Sequence, residues 1–169
     1  MEKMSKVISN TSPIIALCII DNLDLLWNIY DDVYIPRVVF DEITSGNPER
    51  IKGKKELKKA VDNGKIAIYD VQDKLFVQKM LGKLHKGEVE TIVGARELNT
   101  DFVVIDERAA RIQAQNYFLT PIGTLGILRI AKKKGLVKEI KPFIETLLLS
   151  GFRLSKPLYE RVLRKENEM

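Results

Sequence analysis

The sequence has one cysteine, one histidine and no long apolar run, and each shortage excludes a class of chemistry. Cys18 alone makes no internal disulfide and no cysteine-rich zinc site. It lies in the apolar run Ile14 to Ile20, where a cysteine reads as a small hydrophobe packed in the core. His85 alone would have to carry any histidine zinc site or imidazole proton relay, and its neighbours Lys83, Lys86 and Gly87 predict an exposed loop. No segment approaches the roughly 18 apolar residues of a membrane span, and the opening Met1-Glu-Lys-Met-Ser-Lys6 lacks the apolar run of a signal peptide. The expectation is a cytoplasmic protein with no membrane partner.

What is present suits one domain spanning 1–169, with C-terminal helices at about 138–167 packed on it. A chain of 169 residues with 45% hydrophobic content carries enough apolar surface for a continuous core. The formal charge is +5, and the excess is concentrated. Arg50 to Lys65 holds seven basic and two acidic residues, and Arg129 to Lys165 holds eleven and three. Such runs suit a polyanionic partner, because each neutralised phosphate releases condensed counterions. The alternative is that each run is a solvated helix face.

Along the chain, strands alternate with helices. Lys6-Val-Ile-Ser9 reads as a strand that breaks at Asn10-Thr-Ser-Pro13 into a helix. A helix over Leu23 to Tyr30 leads to a strand Val33 to Pro36, a helix Arg37 to Thr44 and the polar break Ser45-Gly-Asn-Pro48. A basic helix from about Pro48 to Asn63 precedes a strand Ile66 to Val71, then helices at about 73–84 and 87–98. Phe102-Val-Val-Ile105 is an apolar run of the kind buried on both faces of a parallel sheet, and it delivers Asp106 and Glu107 at its end. A helix Arg108 to Tyr117, a strand Leu119 to Ile122 and helices at about 125–134, 139–149 and 156–165 follow. This order predicts an α/β fold, with right-handed crossovers and a mostly parallel central sheet between two helical layers.

Several carboxylates stand where chemistry is plausible. Glu42, four residues after Val38, points toward the apolar side of its helix; a carboxylate there needs a metal, a partner or a raised pKa. At the stripe's edge it would pair with a lysine instead. Glu88 shares a face with Ile92 and Ala95, or else serves as an acidic first-turn residue. Glu90 shares a face with Glu97 and is expected to be solvated. Asp106 and Glu107 sit where α/β proteins place their chemistry, although Asp106 also suits a helix cap and Glu107 a pair with Arg111. Together with Asn10 and Ser12 these residues amount to a cluster of hard oxygen ligands, which suits Mg²⁺ or Mn²⁺ and, in a basic protein, phosphodiester hydrolysis.

Five segments in order resemble the PIN-domain family: Ile8-Ser-Asn-Thr-Ser-Pro-Ile14, Tyr34-Ile-Pro-Arg-Val-Val-Phe-Asp-Glu-Ile43, Lys86-Gly-Glu-Val-Glu90, Val104-Ile-Asp-Glu-Arg108 with Arg111, and Ile122-Gly-Thr-Leu-Gly-Ile-Leu128. The resemblance implies a three-layer fold and a Mg²⁺- or Mn²⁺-dependent endoribonuclease acting on single-stranded RNA. It places Asn10, Glu42, Glu88 and either Asp106 or Glu107 at the four acidic sites, with Ser12 as a supporting hydroxyl. Lys52, Lys54, Lys55, Lys58, Lys59, Arg108 and Arg111 then become candidate RNA contacts. Many relatives are VapC-like toxins held by a small antitoxin, and many are homodimers. Asn10 departs from the pattern: its amide oxygen can coordinate a cation but brings no charge. A different reading follows from it, a catalytically weak module that binds RNA or protein.

Overall fold

A computed structural model describes residues 4–46 and 52–169, leaving aside the side chains of Met4 and Ser5. The first half contains β1 (Met4–Ser9), α1 (Thr11–Ile19), α2 (Leu25–Ile29), β2 (Tyr30–Pro36), α3 (Arg37–Ser45), α4 (Lys54–Asp62) and β3 (Ala67–Tyr69). Then come α5 (Lys74–Met80), α6 (Lys86–Glu97), β4 (Phe102–Val104), α7 (Arg108–Asn116), β5 (Thr120–Ile122), α8 (Thr124–Lys133), α9 (Lys141–Leu149) and α10 (Lys156–Lys165). The opening Met1 to Lys3, the loop residues Asn47 and Pro48, and Arg50 of the first basic run lie outside the described residues, as does the expected start of the basic helix at Pro48.

The five strands form one sheet in the order β3-β2-β1-β4-β5, and every pairing is parallel. Successive side chains on a strand point to opposite faces, so each central strand feeds two cores. Val7 and Val104 pack with Leu17, Leu26, Ile43, Leu57, Leu128, Ile144 and Val162 of the helices on one face. Ile8, Val103 and Ile105 pack with Val77, Ile92 and Ala110 of α5, α6 and α7 on the other. Burying one such side chain contributes about 1.5–3 kcal/mol, which is why these apolar strand runs end up between two helical layers. The fold is therefore the three-layer α/β arrangement the strand and helix order implies.

From β1 the chain steps to β2 and β3 on one side, and later to β4 and β5 on the other. The switch lies between β1 and β4, where a crevice opens outside the carboxyl ends of the strands. The ladder runs one bond past each of these strands: the Asn10 amide donates to the Val104 carbonyl and the Ile105 amide to that of Ile122, each at 3.0 Å.

Four sequence expectations need correction. The helix expected to reach Tyr30 ends at Ile29, because pairing with β1 begins at Met4↔Tyr30 and draws Tyr30 into β2. Glu42 is exposed: the buried residues of α3 are Val39 and Ile43, Val38 is only half-buried, and the apolar stripe is rotated away from Glu42. Glu90 is buried at 6% exposure, since α6 lies against β1, β2, α3 and α5 and every residue from Gly87 to Ala95 is covered. His85 is exposed as expected, yet Gly87 is buried inside α6. Cys18 is a core residue whose thiol burial pushes up to about 12, far from reactivity.

Candidate active site

Asn10 follows β1 and occupies the N-cap of α1 with an extended backbone. Asparagine at such a position ordinarily accepts from a helix amide, but this side chain makes no capping bond. It is 5% exposed and has no hydrogen-bond partner among the described residues. Among the described residues only the Tyr30 hydroxyl is a wholly buried side-chain polar atom without a partner, so the Asn10 amide still reaches solvent and is open to water or a ligand. Its Oδ1 lies against the start of α6: a Cβ on Gly87 would stand 2.9 Å from that oxygen and 3.7 Å from Thr11 Oγ1. Only glycine fits there without displacing the amide.

Thr11 links this corner to α3. Its hydroxyl donates to Glu42 Oε2 at 2.9 Å, leaving Oε1 unused. Thr11, not Ser12, thus steadies a carboxylate; Ser12 is exposed and faces a cleft shared with Asp106 and Glu107. Glu88 is 5% exposed, and its Oε1 accepts from the His85 amide at 2.9 Å, which closes the first turn of α6. The sequence alternatives of an inward acid and a first-turn acid are both true of Glu88.

Asp106 sits across the β1–β4 boundary. Its Oδ1 accepts from the Thr124 amide and its Oδ2 from the Thr124 hydroxyl, each at 2.7 Å, at the N-terminus of α8. A helix N-terminus favours an anion there. Burial pushes the carboxyl above its usual range, against the two Thr124 bonds and the nearby Arg111 guanidinium. Arg111 itself donates to the Ile105 carbonyl at 3.1 Å, and no ion pair joins it to Glu107. A Cβ on Gly123 would come within 3.0 Å of both Asp106 Oδ1 and Arg111 Nη1, so the turn into α8 is closed around this pair. Glu107 and Arg108 are exposed at the start of α7.

The structure therefore brings Asn10, Glu42 and the start of α6 together around Thr11, with Asp106 on the next strand. The donor set is all hard oxygen. Among the described residues no three Asp, Glu, His or Cys side chains gather closely enough to hold an ion alone. The fit is to a cation that keeps several waters and takes one or two carboxylates plus an amide oxygen, as Mg²⁺ commonly does. The unpartnered Asn10 amide is consistent with such a role.

The cleft beyond Asp106, about 1330 Å³, runs between α8 and residues 151–167. Its wall carries Arg111, Arg129, Lys132, Lys133, Arg153 and Lys165. The five candidate lysines of the first basic run lie elsewhere: Lys52, Lys55, Lys58 and Lys59 are exposed and Lys54 half-buried, on and just before α4, which packs on α3. Sequence reasoning missed Thr11 and Thr124, whereas the cleft cations fall on Arg111 and in the basic run Arg129 to Lys165 that the sequence had marked for a polyanionic partner. The Ser-Asn-Thr and Gly-Thr steps after β1 and β5 were the available signal for the two threonines.

An all-parallel α/β sheet with an oxygen-lined crevice at its switch point defines a class of proteins that work on ligands at the strand carboxyl ends. The model of the PIN domain matches residues 6–168, and the chain belongs to that family. PIN domains are generally nucleases, hydrolases that use divalent metal ions. No curated protein and no solved structure matches the chain significantly. No helix among the described residues is long and apolar enough to cross a membrane.

Proposed function

We propose that this chain is a Mg²⁺- or Mn²⁺-dependent endoribonuclease acting on single-stranded RNA, with Asn10, Glu42, Glu88 and Asp106 as the residues that hold the cation directly or through water. The observation that carries the reading is the Asn10 amide, unused by the protein and still open to solvent, beside the Thr11–Glu42 bond. A divalent cation there would polarise the scissile phosphate and offset charge on the leaving oxygen. The chain's own residues do the rest. Thr11 holds Glu42 with one oxygen free, Thr124 fixes Asp106, and Arg111 adds positive charge beside it. Glu107 stands exposed at the cleft mouth and is a less restrained alternative to Asp106.

The test is cleavage of a labelled single-stranded RNA by purified protein with Mn²⁺. Cleavage should appear with the metal and stop in excess EDTA; activity that persists in chelator overturns the mechanism. A second reading, an RNA- or protein-binding module with weak catalysis, is favoured by the missing charge at Asn10. RNA binding without cleavage at any Mn²⁺ concentration would select it. A toxin role, a small antitoxin, a homodimer and a cytoplasmic location follow from the family resemblance and the sequence, and no feature of the site carries them.

A further inference from the structure

The cleft between α8 and residues 151–167 is continuous with the Asp106 end of the site, since Ser12, Asp106, Glu107 and Arg111 line one end of it. At about 1330 Å³ it exceeds the roughly 300–1,000 Å³ of an ordinary small-molecule pocket, which suits a length of polymer. Its floor is apolar, with Leu125, Phe152 and Leu158 among the lining side chains.

The charges along it are unequally satisfied. Arg129 pairs with Glu166 at 2.9 Å and Lys132 with Glu168 at 2.8 Å, and these bonds tie the C-terminal residues to α8. Glu168 also accepts from the Ile140 and Lys141 amides, so the wall formed by α10 is anchored to α9 as well. Lys133, Arg153 and Lys165 have no ionic partner among the described residues; of the cleft acids Glu107 has none either, and Asp106 is held by Thr124 and not by a cation. Three free cations over an apolar floor complement a strand whose phosphates are charged and whose bases have flat apolar faces.

We infer that this cleft is the track for the single-stranded RNA, with Lys133, Arg153 and Lys165 on successive phosphates and Phe152 offering its ring to a base. The assignment rests on the nuclease reading for its direction: a strand laid in the cleft presents a phosphate at the Asp106 end. An acidic amphipathic peptide meets the charge and the floor equally well, but nothing would require it to reach Asp106.

The experiment measures binding of a fluorescent 12-nucleotide single-stranded RNA to the full chain in EDTA across a salt series, with cleavage in Mn²⁺ assayed separately. Replacing Lys133, Arg153 and Lys165 together by alanine should weaken binding at least tenfold near 0.1 M salt. The slope of log affinity against log salt should fall by about 2, since each single-strand phosphate contact contributes roughly 0.7. The three side chains are at the surface and unpaired, so the thermal midpoint should not move. Phe152→Leu, which keeps the packing, should weaken binding several-fold with no change in slope. An unchanged slope in the folded triple variant overturns the track, even if the wild type cleaves RNA. Displacement of the RNA by an oligoglutamate peptide of equal charge and affinity also overturns it, in favour of a protein partner. If the wild type binds through the cleft but never cleaves, the track stands and the nuclease reading falls.

Discussion

On the α3 side of Asn10, Glu42 is exposed with one oxygen on Thr11 and the other free; on the β4 side Asp106 is largely covered, with both oxygens taken by Thr124. One carboxylate is available but loosely held, and the other is held firmly but already occupied. The difference comes from local structure. Glu42 sits on the outer edge of an amphipathic helix, whereas Asp106 follows a buried strand and meets the N-terminus of the next helix but one. A site built this way can gain a cation from the open side and keep its geometry from the closed side. Buried groups whose rotamers are fixed by hydrogen bonds preserve alignment; exposed ones adapt.

The comparison is broken most severely by removing each acid as its amide. Glu42→Gln and Asp106→Asn should each lower Mn²⁺-dependent RNA cleavage by about 100-fold or more, because even an outer-shell partner of a metal ligand is worth roughly 10- to 100-fold. Stability should separate them. Glu42→Gln should leave the thermal midpoint in EDTA unchanged, since its carboxylate is already in water. Asp106→Asn should raise it near neutral pH, because the amide can still accept the Thr124 N–H while the burial cost of the charge disappears. As the carboxyl of Asp106 is raised in the fold above its ordinary value of 3.8, the folded state binds the extra proton between those two values. The wild type therefore loses stability relative to the asparagine variant as pH rises through that window, and the two converge below it. A variant that melts lower at neutral pH would show that Thr124 needs the ionised acid.

Much of the closed side was legible in the sequence. Phe102 to Ile105 is a uniformly apolar run, which only a strand covered on both faces requires, and it ends on Asp106. The open side was misread because the Val38–Glu42 spacing of four put the acid on the apolar stripe; Val39 and Ile43 define that stripe, and a one-residue shift rotates a helix face by 100°. Glu90 defeated periodicity differently. A helix buried all round has no polar face for an acid to occupy, so Glu90 ends up covered, its carboxyl pushed up by burial although Lys86 and Lys74 pull the other way. The charge of the cleft was legible in the basic run Arg129 to Lys165, but its shape was not, since α8 and residues 151–167 meet only in the tertiary structure.

Between the two sides stands Asn10, and Asn10→Asp sharpens the comparison by adding a charge at its centre. The new carboxylate would be largely but not wholly covered and without a hydrogen-bond partner, as the amide is now. In EDTA the variant should therefore melt lower than the wild type. With Mn²⁺ the order should narrow or reverse, because a ligand that binds only the folded state stabilises by mass action. Half-maximal cleavage should need on the order of tenfold less Mn²⁺, equivalent to roughly 1.4 kcal/mol. Equal Mn²⁺ affinities by calorimetry would remove Asn10 from the ligand set.

The smallest effect is expected from the lysines beside the open half. Lys52, Lys55, Lys58 and Lys59 project from α4 and the turn before it, on a helix whose buried side is only Leu57 and Ala60, so their ammonium groups are free to move. They adjoin α3 and hence Glu42, whereas the cleft adjoins Asp106. If RNA is held mainly by the cleft, α4 supplies a diffuse field that raises the encounter rate more than the affinity. Replacing Lys55, Lys58 and Lys59 by alanine should then lower the association rate several-fold at low salt and change the salt slope of binding by less than about 0.7, the value of one single-strand phosphate contact. Helix stability should hold, since alanine is the best helix former. A slope that falls by about 2, as expected for the cleft variant, would instead make α4 a direct phosphate-binding surface and put the strand on the Glu42 side of the site.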